Sequence, residues 1–448
     1  MPLCPRALFV RARKARPPAP PAVPDRSAPT VAAVALALSA CAGLASAQDT
    51  RTIDVAMHYS QDQAAPLLAC FERYEAANEG IEVNYQQLSY GDYLQTVLTS
   101  RLGGQAPDIY HLYSIWGAQL VDNGVLAEPP ETVRDFVVES YAGATVEAAT
   151  IEDTLWGVPT EVSAYMLVSN MQLLEEAGYD APPATFEEFR EIASKITTRD
   201  AQGKIERAGF AFADSSSGAG LVHPFYTRLF SAGVDPYEEG FEGTNLASEE
   251  AVSALEDFRT LVAEGVTDRS VDGYDFPAGG IGMIIMANWL ESDIRAGFGE
   301  DFESATRVSP VPFGDDWRTM QYAFFFGVDS GSDVQEESWE LIRWANSPES
   351  AASEGGPSCV GEMLAELGAL TANAADLAAL GEPDAFTAPY VRALEEDRAV
   401  TQPNVMQAAE IERAMADAIG TALDGEESPE AAMERLDEQV SDILFEFY

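Results

Sequence analysis

Lysine is nearly absent from this chain, with Lys14, Lys195 and Lys204 the only three among 448 residues. With 26 lysines and arginines against 74 aspartates and glutamates, the formal net charge is −48 at neutral pH. A surface of that sign repels phosphate backbones, which excludes nucleic acid as a partner class. A salty habitat or attraction to cationic solutes would account for it specifically, and a strongly solvated surface accounts for it generally. Histidine is equally scarce: His58, His111 and His223 stand far apart and form no ligand pair, which argues against a metal centre. The familiar catalytic signatures are missing too. There is no Gly-x-Ser-x-Gly elbow, no His-Glu-x-x-His and no P-loop. Gly279-Gly280-Ile281-Gly282 lacks dinucleotide-loop spacing and precedes a strand-like run. No apolar run is long enough to span a bilayer as a helix.

What remains is a globular composition, 46% hydrophobic and 10% aromatic, with room for two or three domain-sized cores. The first 47 residues read as an export signal. Arg11, Arg13, Lys14, Arg16 and Arg26 form a basic start, residues 31–40 a short apolar run, and Ala45-Ser46-Ala47 a small-residue cleavage site. Leu38-Ser39-Ala40-Cys41 also reads as a lipobox, which would make Cys41 a lipidated first residue. The expected location is therefore the periplasm, with cleavage after Ala47 favoured and a lipid anchor through Cys41 open. Cleavage after Ala47 leaves Cys70 and Cys359. An oxidising compartment permits a bridge, whereas the apolar helical surroundings of Cys70 equally suit a buried thiol, and both readings stand.

Strands and helices alternate from the start. Residues 53–59, 81–88 and 108–113 read as strands, with helices at 66–78 and 93–102, the pattern of a mainly parallel sheet covered on both faces. A second set begins after Val158-Pro159: a strand at 165–169, a helix at 170–177, then Thr185 capping a helix over 186–196 with Glu187 and Glu188 in its first turn. Helices are expected at 249–264, 339–345, 409–423 and 429–445, and buried strand-like runs at 281–286 and 308–313.

Five segments, in order, resemble the extracellular solute-binding family that includes maltose-binding protein. They are Ala106-Pro107-Asp108-Ile109 with Gly124-Val125-Leu126; Trp156-Gly157-Val158-Pro159 through Asn170 to Thr185-Phe186; Gly282-Met283 with Ala287-Asn288-Trp289; Trp339 to Ser347-Pro348-Glu349; and Leu423-Asp424-Gly425 with Ser428-Pro429-Glu430. Ser169-Asn170 departs from the family's Tyr-Asn, and the region of Pro357-Ser358-Cys359 from its Leu-Pro. The resemblance implies an α/β, periplasmic-binding-protein-like fold: two α/β lobes around a ligand cleft, joined by hinge crossovers near residues 159–161 and 322–326, with a third near 370–383. It places lobe 1 at 48–158 with 327–375 and lobe 2 at 159–326 with 376–448. The function it implies is capture of a sugar or sugar-derived solute for an ABC importer, with permease subunits as partners, a monomeric chain, no cofactor and no catalysis.

Sugars present apolar faces and a belt of hydroxyls, so a sugar site needs aromatic rings beside carboxylates or amides. On that chemistry the candidate contacts are Tyr59 and Ser60 after the first strand, and Tyr113, Ser114 and Trp116 after the third. Glu161, Ser163 and Tyr165 stand at the first crossover, His223 and Tyr226 in His-Pro-Phe-Tyr, Trp289 after a buried strand, Tyr322 at the second crossover, and Glu410 on a late helix. Each has a packing reading as well, since tyrosine and tryptophan are largely buried in any fold. Trp289 and Tyr113 are the leading candidates by their place in the resemblance. A polyamine receptor is the rival within binding proteins, distinguished by two or more carboxylates flanked by aromatics. A ferric-ion receptor using paired tyrosines and a carbohydrate-cleaving enzyme using a carboxylate pair are weaker rivals.

Overall fold

A computed structural model of the chain describes residues 50–141, 143–212 and 218–448. The signal-like segment with Cys41 and Ala47 lies outside them. Among the described residues are thirteen strands. The first three are β1 (Arg51–Met57), β2 (Ile81–Gln87) and β3 (Ile109–Tyr113), followed by a short hairpin of β4 (Thr150–Ile151) and β5 (Thr154–Leu155). After them come β6 (Val158–Asn170), β7 (Thr198–Arg199), β8 (Ile205–Ala211), β9 (Ile281–Ala287), β10 (Thr306–Ser309), β11 (Thr319–Val328), β12 (Leu370–Thr371) and β13 (Ala399–Thr401). All but the hairpin join one sheet of order β2-β1-β3-β11-β6-β9-β8-β7, with β10 and β12 on β6 and β13 on β11.

At one end, β1 pairs parallel with β2 and β3; at the other, β8 pairs parallel with β9. Between them β11 and β6 run antiparallel and carry the chain from one half to the other. Residues 324–328 of β11 face β3, while residues 321–323 face residues 162–164 of β6. The remainder of β6 pairs with β9 and β10. Every residue of β6 is buried, including Thr160, Glu161, Ser163, Ser169 and Asn170. Those polar residues interrupt the apolar run, which is why only residues 165–169 read as a strand in the sequence.

Two hydrophobic cores flank the sheet. One gathers Val55, Leu67, Phe71, Trp339 and Met363, and the other Phe210, Phe258, Met286, Met415 and Leu436. The helix Phe186–Ile196 shows how the second is built. Thr185 Oγ accepts from the Glu188 amide at 3.2 Å, acidic residues occupy the first turn, and Phe189, Ile192, Ala193 and Ile196 form its buried stripe. In Trp156-Gly157-Val158-Pro159 the glycine is required by close approach: a Cβ there would lie 2.3 Å from the Phe325 ring and 2.4 Å from the Phe326 carbonyl. Glycine thus lets β6 and β11 come together where the chain changes halves. Cys70 and Cys359, whose state the sequence leaves open, are joined as a disulfide with Cα atoms 6.0 Å apart.

Candidate functional site

A cavity of about 230 Å³ opens where the ends of β1, β6 and β11 meet the helix Gly218–Ser231. Its walls are Tyr59, Tyr90, Tyr165, Tyr274, Trp289, Tyr322 and Phe324, together with His58, Gln63, Glu161, Ala219 and His223. Phe324 reaches it because it lies two residues after Tyr322 on β11 and so shares its face; the pairing with β6 slips between Ala323 and Phe325, where β6 carries one extra residue. Tyr90 and Tyr274, each on a 3₁₀ turn from opposite halves of the chain, are about two-fifths exposed and stand at the rim. Tyr274 lies beside Trp289 with ring centroids 5.8 Å apart.

The polar groups are few and held in place. The Tyr59 hydroxyl donates to Glu161 Oε2 at 2.5 Å, and Tyr85 donates to the Tyr59 carbonyl at 2.6 Å. Burial raises the Glu161 carboxyl to about 7, against the partial relief of that Tyr59 bond. His58 stacks on Phe324 and His111, and burial pushes its imidazole down to about 3, so the ring is neutral at physiological pH. His223 is bonded on both edges: Nδ1 lies 2.7 Å from the Tyr165 hydroxyl, and Nε2 lies 3.0 Å from Glu412 Oε1. Tyr113 donates to Gln402 Oε1 at 2.8 Å and sits 3.3 Å from the same Nε2. Among the described residues no lysine or arginine lines the cavity, and no group of three or more His, Cys, Asp or Glu is placed to hold a metal.

The structure brings Tyr59, Glu161, Tyr165, His223, Trp289 and Tyr322 together around this cavity. The other seven sequence candidates lie elsewhere. Ser60 is one shell back, where its Oγ accepts from the Gln63 amide and its own amide donates to Gln63 Oε1, fixing a side chain that does line the cavity. Tyr113 is fully buried in the His223 network, and Ser114 is buried at the start of the turn Ser114–Trp116. Ser163 is buried opposite Tyr322 in the sheet. Tyr226 is buried with its hydroxyl 3.4 Å from that of Tyr237. Trp116 stacks on Tyr93 and, with Glu410, lines a separate groove that meets the cavity at Tyr90 and Ala219. The sequence reading misses His58, Gln63, Tyr90, Ala219, Tyr274 and Phe324. Tyr90 and Tyr274 carry a signal: each is an aromatic set among turn residues, in Ser-Tyr-Gly-Asp and Asp-Gly-Tyr-Asp, where packing gives no reason for one.

A split sheet bridged by two long antiparallel strands, with an aromatic cavity at the bridge, is the maltose-binding-protein-like fold. The sequence profile for bacterial extracellular solute-binding proteins matches residues 59–352, and the chain belongs to that family. A Brucella abortus protein, provisionally named a binding protein, is 25% identical over 365 residues, 77% of this chain and 85% of its own. The GacH receptor of Streptomyces glaucescens, solved unliganded and with acarbose, superposes with a TM-score of 0.76 at 19% identity, covering 89% of this chain and all of that one. An ABC substrate-binding protein of Listeria monocytogenes, solved with cycloalternan, gives 0.73 at 20% identity over 88% and 98%. At those identities the structures establish the fold. The family and these neighbours are solute-binding proteins, not enzymes.

Proposed function

We propose that this chain is the substrate-binding component of an ABC importer and that its cavity captures a neutral sugar or sugar-derived solute. The observation that carries the reading is the lining: seven aromatic rings around one carboxylate, Glu161, with Gln63 and two histidines. Rings supply platforms for the C–H faces of a sugar, and the few polar groups meet its hydroxyls. A polyamine would call for two or more carboxylates in the same lining. The second carboxylate nearby, Glu412, stands behind His223 and outside the cavity. Glu161, held near neutrality, is a poor counter-ion for an ammonium group. The volume is below the roughly 300–1,000 Å³ of drug-sized ligand pockets and suits about one sugar ring.

The proposed lobes are 48–158 with 327–375 and 159–326 with 376–448, and the way β6 and β11 exchange partners along their length supports hinges there. Closure of such lobes would bury the solute, and the closed form would be what the permease subunits recognise. Export follows the signal-like start, with Cys41 as the alternative, lipid-anchored terminus. A lipoprotein of Streptomyces antibioticus is 26% identical over 37% of this chain, which is in keeping with the lipid-anchored form.

Trp289, half-buried between the cavity and Tyr274, tests the site. Trp289→Ala is expected to weaken binding of a neutral monosaccharide that the chain captures by about 30-fold or more in titration calorimetry, the roughly 2 kcal/mol typical of a truncated aromatic anchor. Unchanged affinity in a folded variant would remove this cavity as the capture site.

A further inference from the structure

Glu412 lies on the helix Ala408–Leu423, outside the cavity, yet its carboxylate holds the outer edge of a cavity-lining ring. Its Oε1 sits 3.0 Å from His223 Nε2, and both side chains are almost fully shielded from solvent. A carboxylate facing a bare ring nitrogen at that distance would be lone pair against lone pair, so Nε2 must carry the hydrogen. Every neighbour agrees with that assignment. Gln402 Nε2 donates toward Glu412 Oε1 at 3.5 Å, Gln402 Oε1 is taken by the Tyr113 hydroxyl, and the Tyr113 oxygen is left to accept from His223 Nε2–H. In the neutral ring Nδ1 is then the bare nitrogen, and the Tyr165 hydroxyl, 2.7 Å away, must donate to it.

We infer that Glu412 is a positioning residue that fixes the Nε2–H tautomer of His223, so that Tyr165 turns only lone pairs toward the solute. This rests on the solute-capture reading of the cavity and names the chemistry the cavity takes. The Tyr59 hydroxyl is likewise spent on Glu161. The oxygens of Tyr59 and Tyr165 therefore face the cavity as acceptors, with no lysine or arginine among the described lining residues. Such a wall accepts from the hydroxyls of an uncharged sugar and offers no cation to sugar acids and sugar phosphates, whose negative charge would be desolvated without a partner.

The assignment is tested on the whole exported chain by long-range ¹H–¹⁵N correlation of its histidines. The His223 signal is identified by its loss in His223→Gln. The expected pattern is a protonated Nε2 and a bare Nδ1, relaxing to a mixture of tautomers in Glu412→Gln, whose amide can both donate and accept. A protonated Nδ1 in the unaltered chain, or an unchanged pattern in Glu412→Gln, would overturn the role of Glu412. The consequence is read by thermal shift with glucose, maltose, glucuronate and glucose 6-phosphate. The neutral sugars are expected to stabilise the chain, with apparent affinity falling about tenfold in Glu412→Gln, the effect of one misdirected hydrogen bond. Stabilisation by either anion would overturn this discrimination against negative charge. If all four are inert, the sugar reading fails while the tautomer pattern still decides the role of Glu412.

Discussion

Reduction of the Cys70–Cys359 bridge is expected to cost this protein about 2–5 kcal/mol of stability. The two residues are 289 apart in sequence, so the bond closes a loop that takes in most of the folded chain. Closing a loop of that size removes much of the freedom of the unfolded chain, and the benefit grows with the logarithm of loop length. The bond sits in a corner tied by further contacts. Cys70 is buried in the helix Ala65–Ala77, and Cys359 opens the helix Cys359–Leu367 with its amide bonded to Ser350 Oγ at 3.0 Å. Arg73 Nη2 reaches both Cys359 Sγ and the Ser350 carbonyl, tying the same corner together. Since an unfolding entropy of roughly 2.1 cal/mol/K per residue applies over about 400 residues, the loss is about 2–6 °C in melting temperature. Melting with and without reductant measures it, beside the Cys70→Ala/Cys359→Ala double variant. Quantitative thiol labelling of both cysteines in the unreduced, denatured chain, with no shift in melting, would contradict the bridge.

The second large effect is a pH dependence lodged in one buried carboxyl. Glu161 is 2% exposed, and burial raises its pKa from 4.5 to about 7. The folded chain therefore holds this proton more tightly than the unfolded chain does. Its contribution to stability is fully present below about pH 4.5 and is lost as pH rises through about 7. A tenfold change in proton affinity is worth about 1.36 kcal/mol, so the loss amounts to about 3 kcal/mol. Glu161→Gln, which keeps shape and stays neutral, should flatten that fall. Urea unfolding at pH 5 and pH 8, in the wild type and in Glu161→Gln, isolates this carboxyl, because the many surface carboxylates titrate alike in both. Equal pH dependence in the two proteins would show that Glu161 is not held protonated by the fold.

Much of this architecture is legible in the sequence where local signals act alone. The helix Phe186–Ile196 is readable to the residue because cap, acidic first turn and apolar stripe coincide. The helix Pro429–Phe445 reads as cleanly, from Ser428-Pro429 at its start. The failures come where tertiary context overrides local preference. The helix Gly218–Ser231 carries Pro224 in its interior and has almost no polar face, so neither punctuation nor periodicity marks it. The strands β6 and β11 escape full recognition because a strand buried on both sides need not alternate, and the buried polar groups of β6 serve the cavity and the junction. The site divides the same way. Tyr59, Glu161, Tyr165, Trp289 and Tyr322 follow from strand ends and crossovers, whereas Phe324, on the same face as Tyr322, opens a run of three phenylalanines that reads as core. Glu410 is on the right helix but points to the neighbouring groove. Two residues on, Glu412 borders that groove too, but its carboxylate also reaches His223, which Glu410 does not.

Capture of a neutral sugar in the aromatic cavity is tested most directly by thermal denaturation of the mature chain in rising concentrations of neutral sugars and of the polyamines putrescine and spermidine. A solute that binds only the folded state stabilises it by about 2.7 kcal/mol at a hundred times its dissociation constant. The expected result is a concentration-dependent rise in midpoint with at least one neutral sugar, moved to about 30-fold higher concentration in Trp289→Ala, and none with the polyamines. A rise with a polyamine and none with any sugar would contradict neutral-sugar capture.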